Sequence, residues 1–329
     1  MSDAVVKDED DTPAIKRRWV QWVVGILSVA FAGYMLYRAL GQYSWDGLVA
    51  SVASIPMDRL MLAAAFAAAS YVCLTFFDYL ALRYVGRPLP WYRAALTSFT
   101  ALSLGHSVGL AVLSSGAVRY RFYRRYGLRT SEVAKVIGFC AVTVGLGLIV
   151  LLGAALLIRL DLAQQILHLP AWAVIGIALV CLALTGLYLV FAAMRHKPLR
   201  FRRWTLDIPT LPVALGQVFI GALNYVFVAA CLYQTLSALT EVDYLAVAAV
   251  LVIATLAAMV THAPGGLGVI ESVVLFLVPG RNLIGALLAF RFLYFLAPLM
   301  LGLVALAAAE LAERARQAPQ SGEQVPDPA

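Results

Sequence analysis

The run Ser114-Ser115-Gly116-Ala117-Val118-Arg119-Tyr120-Arg121 combines residue types that bind anions. A serine at 114 or 115 can cap a helix opening near Gly116. The N–H groups of that first turn, the positive end of the helix dipole and Arg119 one turn on would then favour an anionic oxygen such as a lipid phosphate. The same residues also suit a plain juxtamembrane basic helix drawn to anionic headgroups. Arg124, Arg125 and Arg129 fit that role, with Tyr120, Tyr123 and Tyr126 as an interfacial aromatic belt. Glu271 follows the Gly265-Gly266 break inside an apolar run. A carboxylate at membrane depth costs about 2.5–3.5 kcal/mol to insert, so it should face a cavity, a proton or a basic partner. Arg291, in the last apolar segment, is a candidate partner. The alternatives are a protonated Glu271 bonded to carbonyls of the break and an Arg291 that snorkels to the outer interface.

Asp78, in Phe76-Phe77-Asp78-Tyr79, either pairs with Arg83 at the interface or reaches the arginines of the 114–121 region. His106 and His262 mark two bends, each as a helix-end hydrogen-bonding group or as a proton-coupling residue titrating near neutral pH. Gln217 and Asn224 read first as interhelical hydrogen-bonders and second as cavity-liners. Cys73, Cys140, Cys181 and Cys231 are scattered through apolar segments and read as small buried hydrophobes. With no Walker motif, no nucleophile–base pair and no ligand cluster in view, the reading is neither an enzyme nor a metal or cofactor protein.

The elements that must position these residues follow from composition. Of 329 residues, 62% are apolar and 13% charged, and the mean hydropathy is +0.86. A water-soluble globule of this length needs more polar surface than that. The apolar residues come in blocks of about 20 between short charged loops, which predicts a polytopic all-α membrane protein. Segments 19–40, 59–82, 136–158, 171–194, 212–236 and 283–307 are long enough to span. Region 94–118 is interrupted at Gly105-His106-Ser107 and Ser114-Ser115-Gly116, and region 244–278 at Thr261–Gly266.

Charge decides what the two interrupted regions do. Arg83, Arg87 and Arg93 precede the first, and Arg119 through Lys135 follow it, so both flanks should be cytoplasmic. About 25 residues cannot cross twice, which makes this a re-entrant hairpin from the cytoplasmic side. Glu241 and Asp243 precede the second region and Arg281 follows it, which suits a hairpin from outside. Only Arg38, Arg59, Arg159 and Arg281 then lie outside, with Arg291 inside a helix. The net charge of +7 is mostly a topology signal rather than a sign of nucleic-acid binding. The architecture expected is about six spanning helices plus two re-entrant hairpins, in an inverted repeat of residues 19–158 and 171–309. Residues 1–18 and 310–329 would be cytoplasmic tails, the latter disordered.

The motifs Gly105-His106-Ser107-Val108-Gly109, Leu113 through Tyr123, and His262-Ala263-Pro264-Gly265-Gly266-Leu267-Gly268-Val269-Ile270-Glu271 resemble the lysylphosphatidylglycerol synthetase/flippase transmembrane family. Phe77-Asp78-Tyr79 resembles its second-helix acidic motif. The resemblance covers most of residues 15–312 and implies a flippase-like domain that moves an aminoacylated phospholipid across a bacterial inner membrane. It points to Asp78, Arg119 and Glu271. The resemblance extends to the membrane part of two-part members and not to their soluble synthetase domain, so it implies a stand-alone member with a separate aminoacyl-lipid synthase as an expected partner. The competing readings are an ion- or proton-coupled transporter of a small polar solute and a membrane partner of a lipid-synthesis enzyme.

Overall fold

The computed structural model describes residues 49–50, 52–108, 111–194, 199–201, 204–206, 208–261, 264–280 and 283–317, all of them in one compact unit spanning 43–329. The expected span 19–40 and His262 lie outside the described residues. The chain is a polytopic helical membrane protein. Its helices are α1 (Met57–Tyr84), α2 (Trp91–Val108), α3 (Ala111–Arg125), α4 (Thr130–Ile158), the short α5 (Leu160–Leu167), α6 (Ala171–Met194), α7 (Leu211–Leu236), α8 (Tyr244–Thr261), α9 (Val269–Leu277), α10 (Ile284–Arg291) and α11 (Ala297–Gln317). A three-residue antiparallel ribbon, Leu199–Phe201 with Trp204–Leu206, follows α6. Among the described residues, six helices are long and apolar enough to cross a membrane.

Local chemistry sets the helix ends. Asp58 in the first turn and Arg83 in the last turn of α1 oppose its dipole. Pro212 opens α7, where a missing N–H costs nothing. The Glu132 carboxylate accepts the Arg129 backbone N–H at 2.7 Å and so covers a donor that would otherwise be orphaned at the start of α4. Between α8 and α9 the helix breaks where expected. Pro264–Gly266 form a single 3₁₀ turn, and Gly265, Gly266 and Gly268 have φ of 58°, 62° and 77°. That left-handed backbone is accessible to glycine at little cost.

The first interrupted region departs from expectation. Gly105-His106-Ser107 lies inside α2 and Ser114-Ser115-Gly116 inside α3, both helical. Small residues mark close helix contact here rather than chain breaks; a Cβ on Gly116 would touch Ile137 of α4. The region is nonetheless two helices packed on each other, and so is the pair α8–α9. By length and composition α8 is itself a candidate span, about 27 Å long at 1.5 Å per residue. The last helix continues past residue 309 to Gln317, because 305–317 is rich in Ala, Leu, Glu and Arg, all strong helix formers.

The bundle is built on α1 against α7 and α7 against α4, with α11 laid on α2. At the α4–α7 crossing the two backbones meet through Gly147 and Gly221. Val180, Leu184 and Leu187 on α6, with Leu301 and Val304 on α11, face outward and need a bilayer to cover them. Polar contacts sort by end. Arg59 reaches Gln234 at 2.9 Å and Arg159 pairs with Asp243 at one end, while Arg87 reaches Glu132 at 3.1 Å at the other. These are the groupings that the charge pattern assigns to common sides.

Gly147→Ala places a methyl against the Gly221 backbone. It should cost about 1–3 kcal/mol and lower the thermal midpoint of the purified protein. Gly145→Ala, with nothing within 4 Å of the added carbon, should leave the midpoint unchanged or slightly raised.

Candidate functional site

Asp78 and Arg119 form a bidentate pair in the core. Arg119 Nε donates to Asp78 Oδ1 and Nη2 to Oδ2, both at 2.8 Å. Their side chains are 0% and 3% exposed. Asp78 comes from α1, about two turns from its end, and Arg119 from the returning arm α3. Tyr123, four residues after Arg119 and so on the same helix face, donates its hydroxyl to Oδ1 at 2.7 Å. The Cys140 thiol of α4 lies 3.8 Å from Oδ2. The carboxylate is thus wrapped by three helices. Removing a carboxylate and a guanidinium from water is costly, and close bidentate geometry with further donors is what offsets it.

Arg83 is not the partner of Asp78. It donates to the Tyr79 hydroxyl at 2.6 Å and lies over that ring. The expected anion site at 114–121 is also corrected. Since α3 starts at Ala111, Ser114 and Ser115 are inside the helix rather than capping it, and Arg119 directs its Nε and Nη2 to Asp78.

The second pair lies at the break in the α8–α9 hairpin. Arg291 Nε donates to Glu271 Oε1, and Nη2 donates to Glu271 Oε2 at 2.8 Å. The same guanidinium donates to the carbonyls of Gly265 at 3.0 Å and Gly266 at 2.9 Å. Phe295 covers it, with 5.2 Å from Cζ to the ring centroid. Glu271 in turn accepts the Gly268 N–H at 2.9 Å, which closes the first turn of α9. Of the two expectations for the break, Glu271 takes the arginine, and the arginine rather than a protonated carboxyl takes the carbonyls. Arg291 is the last residue of α10, about 10 Å from its start, and lies within the longer apolar span Ile284–Ala312. Directly after it the chain widens into a π-helical turn, Phe292–Leu296. Such turns often accompany functional positions. Unlike the first pair, this one stays reachable, with side chains 18% and 15% exposed.

A layer of polar side chains lies between the pairs. Ser70 donates to Asn224 Oδ1 at 2.7 Å and lies 3.3 Å from the Tyr294 hydroxyl, and Tyr71 donates to the Tyr294 carbonyl at 3.2 Å. His106 packs against the Tyr71, Tyr294 and Phe295 rings, and its Nδ1 and the Thr100 Oγ1 have no hydrogen-bond partner among the described residues. Gln217 joins α7 to α4 through Thr143 at 2.9 Å and accepts the Tyr188 hydroxyl of α6. Both amides therefore bridge helices, as the sequence suggests. The α2 helix also packs on the Pro264–Gly266 turn, so the two hairpins touch. All four cysteines are buried.

Sequence reasoning missed Tyr123 and Cys140 as Asp78 neighbours, although the 119/123 spacing was a usable signal. It also missed Glu310, which accepts from Arg121 and from Arg125, the latter at 2.7 Å. Gly116 stays at the α3–α4 contact.

The sequence is similar to curated proteins over most of its length. The chain is 32% identical over 282 residues to an uncharacterized protein, slr0712, of Synechocystis sp., covering 84% of this chain and 88% of that protein. It is 30% identical over 277 residues to inner membrane protein YbhN of Escherichia coli, covering 80% and 84% respectively. No family model matches the sequence.

Asp78→Asn or Arg119→Gln alone strands a buried partner and should cost about 3–5 kcal/mol in thermal or denaturant unfolding. The Asp78→Leu/Arg119→Met pair should lose far less than the sum of the single variants, a coupling that a double-mutant cycle reads directly.

Proposed function

The chain belongs to the family of inner membrane protein YbhN, and with that membership as the premise we propose that it is a lipid translocase. It moves an anionic or aminoacylated phospholipid between the leaflets of the inner membrane, with both termini cytoplasmic. The observation that supports this reading is the Glu271–Arg291 pair, a partly exposed ion pair at a helix break within the membrane. Charged residues at that depth mark substrate pathways by default, because hydrocarbon penalises them unless they work.

The geometry suggests a partner exchange. A phosphate presents oxygens that the Arg291 fork can take in place of the Glu271 carboxylate. The amino group of an aminoacylated headgroup, such as that of lysylphosphatidylglycerol, can take the freed Glu271 and the Gly265 and Gly266 carbonyls. With an aminoacylated headgroup Arg291 keeps an anion and Glu271 keeps a cation during the swap, so neither protein charge is stranded in apolar surroundings. Gly265, Gly266 and Gly268 hold the backbone open at that point. In this reading Asp78 and Arg119 are positioning residues. They fasten α3 to α1 so that the first hairpin presents His106 and the α2 tip to the π-helical turn that carries Tyr294.

The Nδ1 of His106, which has no hydrogen-bond partner among the described residues, favours a second reading, proton-coupled transport of a small polar solute. Uptake of solute driven by a pH gradient, without lipid movement, would select it.

In liposomes loaded with labelled phospholipid, the wild-type protein should move label between leaflets. Glu271→Gln and Arg291→Gln should each slow that movement by about tenfold or more, the equivalent of ~1.4 kcal/mol in barrier. Arg291→Lys, which keeps the charge and loses the fork, should fall between them and wild type. Equal rates in all four proteins would remove the site assignment.

A further inference from the structure

At the end of the bundle opposite Arg59 and Arg159, one carboxylate bridges two arginines. Glu310 of α11 accepts from Arg121 through Oε2 and from Arg125 through Oε1, with 2.7 Å for the latter. Arg121 and Arg125 are four residues apart on α3 and so share a face. The carboxylate is 17% exposed and the arginines 36% and 26%. The charge does not balance, because two guanidinium groups share one carboxylate. Arg124 beside them adds a further cation that donates to a backbone carbonyl, that of Leu128, at 3.1 Å.

The two oxygens of Glu310 occupy the V that the two non-bridging oxygens of a phosphodiester present to a pair of guanidinium groups. Next to Glu310 on α11, Leu311 is exposed, and Val304 and Leu301 continue the exposed apolar surface along the helix. A phosphate seated on Arg121 and Arg125 would therefore have a bed for its acyl chains on the helix that supplied the carboxylate.

We propose that Arg121 and Arg125 form a binding site for the phosphate of an anionic phospholipid, and that Glu310 is its built-in competitor, latching α3 to α11 when no lipid is bound. This site is separate from the Glu271–Arg291 pair and from the Asp78–Arg119 pair. The inference holds whether or not the chain moves lipid, since it concerns binding alone. Lipid binding opens the latch, so the anionic lipid content of the surrounding leaflet sets how firmly the first hairpin is tied to the last helix.

The test uses the full chain in a neutral detergent, titrated with phosphatidylglycerol, with bound lipid counted by native mass spectrometry and the thermal midpoint read in parallel. Glu310→Gln, which keeps the shape and removes the competing charge, should bind phosphatidylglycerol about threefold or more tighter than wild type. A gain in affinity cannot come from misfolding. Arg121→Gln/Arg125→Gln should bind it about fivefold or more weaker, and Arg83→Gln, whose arginine is held by Tyr79 at the same end of α1, should match wild type. Phosphatidylcholine and inorganic phosphate at the same concentrations should not raise the midpoint. Unchanged or weaker binding in Glu310→Gln overturns the competition, and full affinity in the double arginine variant overturns the site. Equal stabilisation by inorganic phosphate overturns the lipid as the occupant.

Discussion

A guanidinium or a carboxylate in hydrocarbon must have its charge and its hydrogen-bonding groups satisfied by protein, and this chain depends on meeting that demand. Asp78 and Arg119 meet it by mutual closure. Two parallel hydrogen bonds, the Tyr123 hydroxyl and the Cys140 thiol surround the carboxylate, so α1, α3 and α4 can only pack in one register. A shift of one residue in α3 would turn Arg119 by about 100° and leave two buried charges without partners. The pair therefore specifies position more than it contributes net stability.

The Glu271–Arg291 pair meets the same demand differently. Its guanidinium satisfies the side chain and the broken backbone together, since the Gly265 and Gly266 carbonyls lose helical partners where the chain turns. One cation thus ties the break in the second hairpin to the last helix, just before the π-helical turn brings Tyr294 to Ser70 and His106. Closed pair and reachable pair have different consequences. The first is sealed by rings and helices, while the second retains exposure on both partners. A site that exchanges partners needs that exposure, and an anchor is better without it.

Much of this was legible in the sequence, for stated reasons. Spans of about 20 apolar residues have few alternatives, so the helices after residue 57 lie close to where hydropathy puts them. Proline followed by paired glycines identifies the second break because both act through the local backbone. The Glu271–Arg291 pairing was readable because few basic residues stand inside apolar runs. The first hairpin was harder. Glycine and serine at 105–107 and 114–116 look like breakers locally, but in a helix bundle small residues also permit close approach, and only the partner helix decides between the two. Asp78 had Arg83 within five residues and Arg119 much further along, and sequence distance says nothing about which guanidinium the fold delivers. Glu310 was hidden by a tail whose composition suggested disorder, while its helix formers extended α11 far enough to reach α3.

A translocation site at Glu271–Arg291 requires that Arg291 change partners when a phospholipid arrives while Arg119 keeps its own. The direct measurement is side-chain NMR of the arginine Nε–H groups, with the full chain in phosphatidylcholine nanodiscs and phosphatidylglycerol or an amino-headed phospholipid titrated in. The account predicts that the Arg291 signal moves in a saturable way and the Arg119 signal stays in place. An Arg291 signal that does not respond to any of these lipids, in protein whose Arg119 signal reports an intact core, would contradict it.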